Sequence, residues 1–306
     1  MLTLLVLLAA VPVDVTVPAE LKAKTCPPEL SGVTWVPALS RYLAVSDDTG
    51  LFDTPSWHAP WVFTFDDQGL LDPAPLVLEG IDMLDDGESI TPGPPGTFFL
   101  ATSHTINKKG KSKPARRQLL WLALEGKRLK VKGGMDLTTI GMDRLVTGEE
   151  DELDIEAIAF RDGALYVGFK APLDASGHAA IARLENIVGA FDKVKPAAIV
   201  GVVWARPKLE VPDAEGVLVP EGVTDLLFLP DGRLVLAANA PKSGQADGGG
   251  AVWLLAKPDA KPVMLQRFLG LKPEGVTLSP DGKEVVVVFD RGQEEPSQWV
   301  KLPVPK

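Results

Sequence analysis

The 306-residue chain has one cysteine, Cys26, so it can form no internal disulfide and no cysteine-built zinc site. Cys26 also lacks the small-residue context of a lipoprotein anchor, which leaves it as a small, partly buried apolar residue. Basic residues are in short supply, with Lys and Arg totalling 31 against 41 Asp and Glu, for a formal charge of −10. Nucleic acids and anionic membranes are held by Lys and Arg neutralising phosphates, so neither is an expected partner, whereas a cationic or metal ligand stays open. No apolar run reaches the roughly 20 residues a membrane-crossing helix needs. Leu2 to Pro12 (LTLLVLLAAVP) suits the core of an export signal, although the Lys or Arg that normally precedes such a core is missing. Residues 1–12 are therefore expected to be an atypical export signal, with the protein periplasmic or secreted; the alternative is a buried first strand. Residues 13–306 are expected to form one domain, in a monomer.

Turns are abundant. The 29 glycines and 27 prolines are spread along the chain, which argues for many short elements and against long helices. One pattern recurs at intervals of about fifty residues: a small residue, a β-branched one, an apolar strand, a tight turn and a second apolar strand with a polar end. Its clearest copies run from Glu221-Gly222-Val223-Thr224 to Asp231-Gly232 and from Glu274-Gly275-Val276-Thr277 to Asp281-Gly282. Others begin at Ser31 and Glu156, and a degenerate one at Glu88. Pro-Asp-Gly and Asp-Gly between apolar runs are hairpin turns, because Pro presets the first turn residue and Gly accepts positive φ.

The second strands are expected at Tyr42 to Ser46, Phe98 to Thr102, Leu165 to Phe169, Leu234 to Ala238 and Val285 to Phe289. Two more strands fit into each interval, such as Ala251 to Ala256 and Val263 to Phe268. Four antiparallel strands per unit make a β-propeller blade. An all-β propeller of about five blades follows; a sixth would have to lie within residues 127–153. The last copy has only Trp299 to Val304 as its third strand, and Val13 to Val17 is the expected donor of the fourth, pairing the two chain ends and covering the edge.

In such a blade the start of the first strand, the end of the second and the connection to the third share one face. Rigid scaffolds present their binding residues on such loops. The longer connections, Thr49 to Pro60, Thr105 to Pro114, Ala171 to Gly177 and Ala240 to Gly250, put His58, His104 and His178 on that face. The repeat-opening residues Glu88, Glu156, Glu221 and Glu274 are candidate metal ligands, since convergent oxygens suit Ca²⁺. The simpler expectation for Glu156, Glu221 and Glu274 is that they tie blade to blade through backbone N–H groups or through Lys170 or Arg291. The strand ends add Asp47, Asp48, His104, Lys170, Asn239, Asp290 and Arg291. Of these, His104, Asp48, Lys170 and Arg291 are candidate catalytic residues; Asp47, His58, His178, Asn239 and Asp290 are candidate ligand-binding ones. The basic loop Lys108 to Arg117 and the acidic loop Glu149 to Asp154 belong to the same face, and an acidic run holds Asp82, Asp85, Asp86 and Glu88. No nucleophile elbow, His-Glu-x-x-His pair or phosphate-cradling loop is present, and no organic cofactor is expected.

Glu29-Leu30-Ser31-Gly32-Val33-Thr34-Trp35 with Tyr42-Leu43-Ala44-Val45-Ser46-Asp47-Asp48, and Asp154-Ile155-Glu156-Ala157-Ile158-Ala159-Phe160, resemble the phytase-like ("esterase-like activity of phytase") and related bacterial extracytoplasmic propellers. The resemblance implies an exported propeller, sometimes linked to phosphoester hydrolysis or calcium. Three functions are compatible with these residues. The first is binding of a small ligand or partner at the channel mouth around Ca²⁺. The second is metal-dependent hydrolysis of phosphate or carboxylate esters, with His104 or Asp48 as base and Lys170 and Arg291 stabilising an oxyanion. The third is a structural scaffold.

Overall fold

The computed structural model describes residues 10–105, 113–147, 153–213, 215–240 and 249–306. Most of the proposed export signal, Lys108 to Ser112 of the basic loop, Glu149 to Glu152 of the acidic loop, and residues 241–248 lie outside the described residues.

The apolar repeats fold into strands almost where their alternation places them. Among the described residues the strands form three four-stranded antiparallel sheets, two short hairpins and one eight-stranded sheet, in which two antiparallel sets of four are joined at their outer strands by the parallel pairing of Leu129 with Leu78 and Lys130 with Glu79. Of the resulting sets of four, the first holds Leu30–Val36, Arg41–Ser46, Trp61–Phe65 and Leu76–Glu79; the second Gly87–Pro92, Thr97–Thr102, Leu119–Glu125 and Arg128–Met135. The third holds Asp154–Arg161, Ala164–Ala171, Ile181–Glu185 and Val200–Ala205, and the fourth Gly222–Phe228, Leu234–Asn239, Gly250–Leu255 and Val263–Phe268. Lys272–Leu278, Glu284–Asp290 and Gln298–Pro303 begin the fifth, and Val13–Asp14 completes it, with Val13 opposite Trp299.

The first strand of each set packs against the first strand of the next, and Lys272–Leu278 packs back against Leu30–Val36. That closed ring of inner strands is a β-propeller. The described part of residues 127–153 holds an outer strand, the short turn of helix Leu137–Ile140 and the helix Met142–Thr147. Among the described residues no helix is long and apolar enough to cross a membrane.

Apolar side chains between neighbouring blades form the core, with Tyr42, Phe63, Phe65, Phe99, Phe169 and Phe289 fully buried. The glycine after the repeat-opening glutamate has a packing reason. A Cβ at Gly222 would collide with the Lys170 carbonyl of the preceding blade, and one at Gly275 with the Ser31 carbonyl of the first. Inner strands meet backbone to backbone at these points, which only glycine permits. Two elements departed from expectation. The connection Thr49 to Pro60 contains a hairpin, Gly50–Leu51 with Thr54–His58, and a second hairpin, Glu210–Pro212 with Leu218–Pro220, precedes the fourth blade.

Candidate metal and ligand site

Main-chain bonds stitch the strand ends of the first three blades together on one face. Asp86 N–H donates to Asp47 O (3.2 Å), Ser103 N–H to Asp86 O (3.1 Å), and Ile155 N–H to Ser103 O (2.8 Å). Asp86 adopts a left-handed φ of 66° to enter this chain. The backbone thus holds Asp47 and Asp86 side by side, and Glu88 follows two residues on at the start of its inner strand. One carboxylate oxygen from each of Asp47, Asp86 and Glu88 lies within 4.8 Å of the others.

These residues line a cavity of about 500 Å³. Glu29, Asp48, Asp85, Asp154 and Glu156 complete its acidic wall, with Arg116, His58, Thr105 and Gln293 also lining it. Burial, followed by the charge of Asp86, pushes Asp47 well above the usual carboxylate range, and Glu88 is raised likewise by burial and by the charge of Asp47. Asp47 Oδ1 and Glu156 Oε2 are buried with no hydrogen-bond partner, although Glu156 is only 6% exposed. Buried polar atoms are normally satisfied, so these two oxygens are under-coordinated acceptors on the cavity's acidic wall.

The counter-charges sit at the rim. Arg116, at the end of the 3₁₀ turn Pro114–Arg116, contacts Asp86 Oδ2 through Nη2, which also donates to Thr105 Oγ1 at 2.9 Å. Lys113 Nζ lies 2.6 Å from Asp85 Oδ2. His58 Nδ1 is 3.2 Å from Asp48 Oδ1, and its Nε2 is 3.8 Å from Asp85 Oδ1. The Asp48 contact raises the His58 pKa, and His58 in turn lowers that of Asp48. Asp48 also accepts from Gly50 N (2.7 Å) and from Gln293 Nε2 (2.7 Å), which fixes its orientation.

Asp47, Asp48, His58, Glu88 and Glu156 thus come together in one cavity; the remaining expected site residues do not. His104 is 1% exposed and does not line the cavity. Leu137 N–H donates to its Nε2 (3.2 Å), so Nδ1 carries the proton and donates to Thr102 O (2.7 Å). Burial holds its pKa below the ordinary histidine value, and with both nitrogens engaged it is a structural pin and has no free atom for base catalysis.

Lys170 is also committed. Its ammonium lies 2.8 Å from Glu156 Oε1 and 3.8 Å from Glu274 Oε1. Burial alone would discharge it, but the two glutamates keep its pKa well above the usual lysine value. Asn239 Nδ2 donates to the same Glu274 oxygen at 3.0 Å. Glu221 turns to Trp253, whose Nε1–H donates to Oε2 at 3.0 Å. The four glutamates therefore do not form one ligand ring: Glu88 and Glu156 face the cavity, while Glu221 and Glu274 are occupied in ties within and between blades.

Arg291 contacts Glu295 and lies 3.6 Å from Asp14, lining with Asp290 a separate cavity of about 380 Å³. His178 is at the surface, 3.2 Å from Asp174.

Sequence reasoning left Glu29, Asp85, Asp86, Thr105, Arg116, Asp154 and Gln293 out of the site, and Asp86 and Arg116 matter most among them. Both stand in segments whose charge was visible, the acidic run before Glu88 and the basic loop, but neither falls on the repeat register.

No family model and no curated protein matches the chain. Solved structures share its fold at low identity. An endo-arabinase from Bacteroides thetaiotaomicron is 11% identical with a TM-score of 0.52, covering 96% of this chain and 99% of that one. PhoX from Pseudomonas fluorescens, in complex with vanadate, a transition state analogue, is 12% identical with a TM-score of 0.51, covering 96% and 74%. An exo-β-1,3-galactanase from Phanerochaete chrysosporium with β-1,3-galactotriose is 11% identical with a TM-score of 0.53; the match covers 97% of this chain but 64% of that enzyme.

Proposed function

We propose that this propeller binds a hard divalent cation, Ca²⁺ before others, among Asp47, Asp86 and Glu88, and through it a small oxygen-rich ligand at the channel mouth. The observation that carries this is the convergence of three carboxylate oxygens within 4.8 Å, one of them from Asp47, whose Oδ1 is buried with no hydrogen-bond partner. An all-oxygen donor set selects hard cations over zinc or copper. Glu156 adds a second orphaned oxygen on the same wall. The cavity's carboxylates greatly outnumber Arg116 and His58, so an anionic ligand needs the cation as intermediary. The apolar run Leu2 to Pro12 supports export, which is part of this proposal, as is the phytase-like kinship read from the short motifs.

Thermal unfolding with Ca²⁺ titrated from a chelated start tests it. A ligand at a hundred times its Kd adds about 2.7 kcal/mol of stability, so a clear rise in Tm is expected. An unchanged Tm up to millimolar Ca²⁺ would reject the cation and favour the scaffold.

Ester hydrolysis is the second reading, favoured by His58. Its imidazole stands on the cavity wall, 3.2 Å from Asp48 and 3.8 Å from Asp85, whose charges raise its pKa and favour a proton on the ring for general acid–base chemistry. The vanadate complex of PhoX shares only the fold, and folds of this kind host unrelated activities. Turnover of p-nitrophenyl phosphate that disappears in His58→Ala and with chelator would establish hydrolysis; absence of turnover across an ester panel leaves a binding protein.

A further inference from the structure

Arg116 stands in contact with the carboxylates that the cation would use. Its backbone is fixed, because Arg116 O accepts from His104 N–H at 2.8 Å, yet its side chain spans the cavity wall. The guanidinium contacts Asp86 Oδ2 through Nη2 and lies 3.5 Å from Asp85 Oδ1 through Nη1, while Nε is buried without a partner. Its fork is therefore only partly used, and Asp85 already has Lys113 at 2.6 Å. Asp86 alone is claimed by both Arg116 and the three-carboxylate cluster.

We propose that Arg116 and the divalent cation compete for Asp86, so that cation binding releases the Arg116 fork to grip the oxyanion of the ligand. This rests on the cation reading above. A guanidinium and a divalent cation on one carboxylate repel at short range in a partly dry cavity, and the mobile partner is the side chain. Once off Asp86, its paired N–H groups match a phosphate, phosphonate or carboxylate edge, a geometry lysine cannot supply. Cation and oxyanion then bind cooperatively, and each tightens the other by the same factor. The ligand class is thus an anion with a planar or tetrahedral oxygen head, and Arg116 is the group that selects it.

Calorimetric titration of Ca²⁺ into wild type and Arg116→Gln, each with and without saturating methylphosphonate, tests this. Arg116→Gln is expected to bind Ca²⁺ about tenfold more tightly than wild type, because the competing charge is gone. Methylphosphonate is expected to tighten Ca²⁺ binding about fivefold or more in wild type and clearly less in the variant, where only its direct contact with the cation couples the two. If Arg116→Gln does not fold, Arg116→Lys replaces it, with the same weakened coupling to methylphosphonate expected while the charge is kept. Calcium binding no tighter in Arg116→Gln, or phosphonate coupling as strong in the variants as in wild type, overturns the competition. Absence of Ca²⁺ binding in both proteins overturns the cation reading and this inference with it.

Discussion

Trp253 donates its indole N–H to Glu221 Oε2 at 3.0 Å, while Glu221 Oε1 is buried with no partner. A fully buried carboxyl with one neutral donor is easier to keep protonated than ionised, and burial pushes its pKa from 4.5 up to about 8. Between those two values the folded protein holds a proton that the unfolded chain has lost. Stability contributed by this group is thus complete below pH 4.5 and is lost as pH rises through 8. Glu221→Gln keeps an acceptor for Trp253 and never ionises. In chelator, urea midpoints of wild type should fall from pH 5 to pH 9, and those of the variant should fall less, the gap reaching a few kcal/mol at about 1.4 kcal/mol per pKa unit. Parallel curves would show that Glu221 does not titrate in this window.

The contact between Gly275 and the Ser31 carbonyl closes the ring, because it joins the last blade to the first. Gly275→Ala forces the two inner strands apart and should cost about 1–3 kcal/mol, as overpacking does in tight cores. Chemical denaturation measures this directly. A variant as stable as wild type would mean that the inner strands can slide apart without cost.

Asp47 carries opposite consequences with and without cation. In chelator, its charge beside Asp86 and Glu88 is a burden, so Asp47→Asn should raise stability by about 1 kcal/mol. With Ca²⁺ the same change removes a ligand oxygen and should abolish most of the calcium-induced rise in Tm. Thermal melts of both proteins in both conditions check the reversal of sign. A variant destabilised in chelator would identify Asp47 as a structural hydrogen-bonding residue instead.

The propeller was legible because its repeat is written in packing terms. Glu-Gly-Val-Thr at 221 and 274 marks where an inner strand passes a neighbour's backbone, and Asp-Gly at 231 and 281 marks where it turns back. The closing strand was legible from the missing fourth partner of Trp299. The site was only half legible. Asp47, Asp48, His58, Glu88 and Glu156 were placed by strand ends on one face, but sequence cannot show which way a buried side chain turns. Glu221 and Glu274 share the repeat position with Glu88, yet Trp253 and Lys170 draw them elsewhere. Asp86 was hidden because it enters the site through a left-handed backbone outside the repeat, and Arg116 because its loop reads simply as basic. His104 was assigned chemistry on its residue type, whereas two backbone groups consume both of its nitrogens.

The central claim is a cation among Asp47, Asp86 and Glu88, and crystals grown with Mn²⁺ as an anomalous scatterer test it most directly. An anomalous peak among these three carboxylates, with Arg116 turned away from Asp86, is the predicted result. A cavity without a peak at saturating Mn²⁺, and with Arg116 still on Asp86, would contradict it.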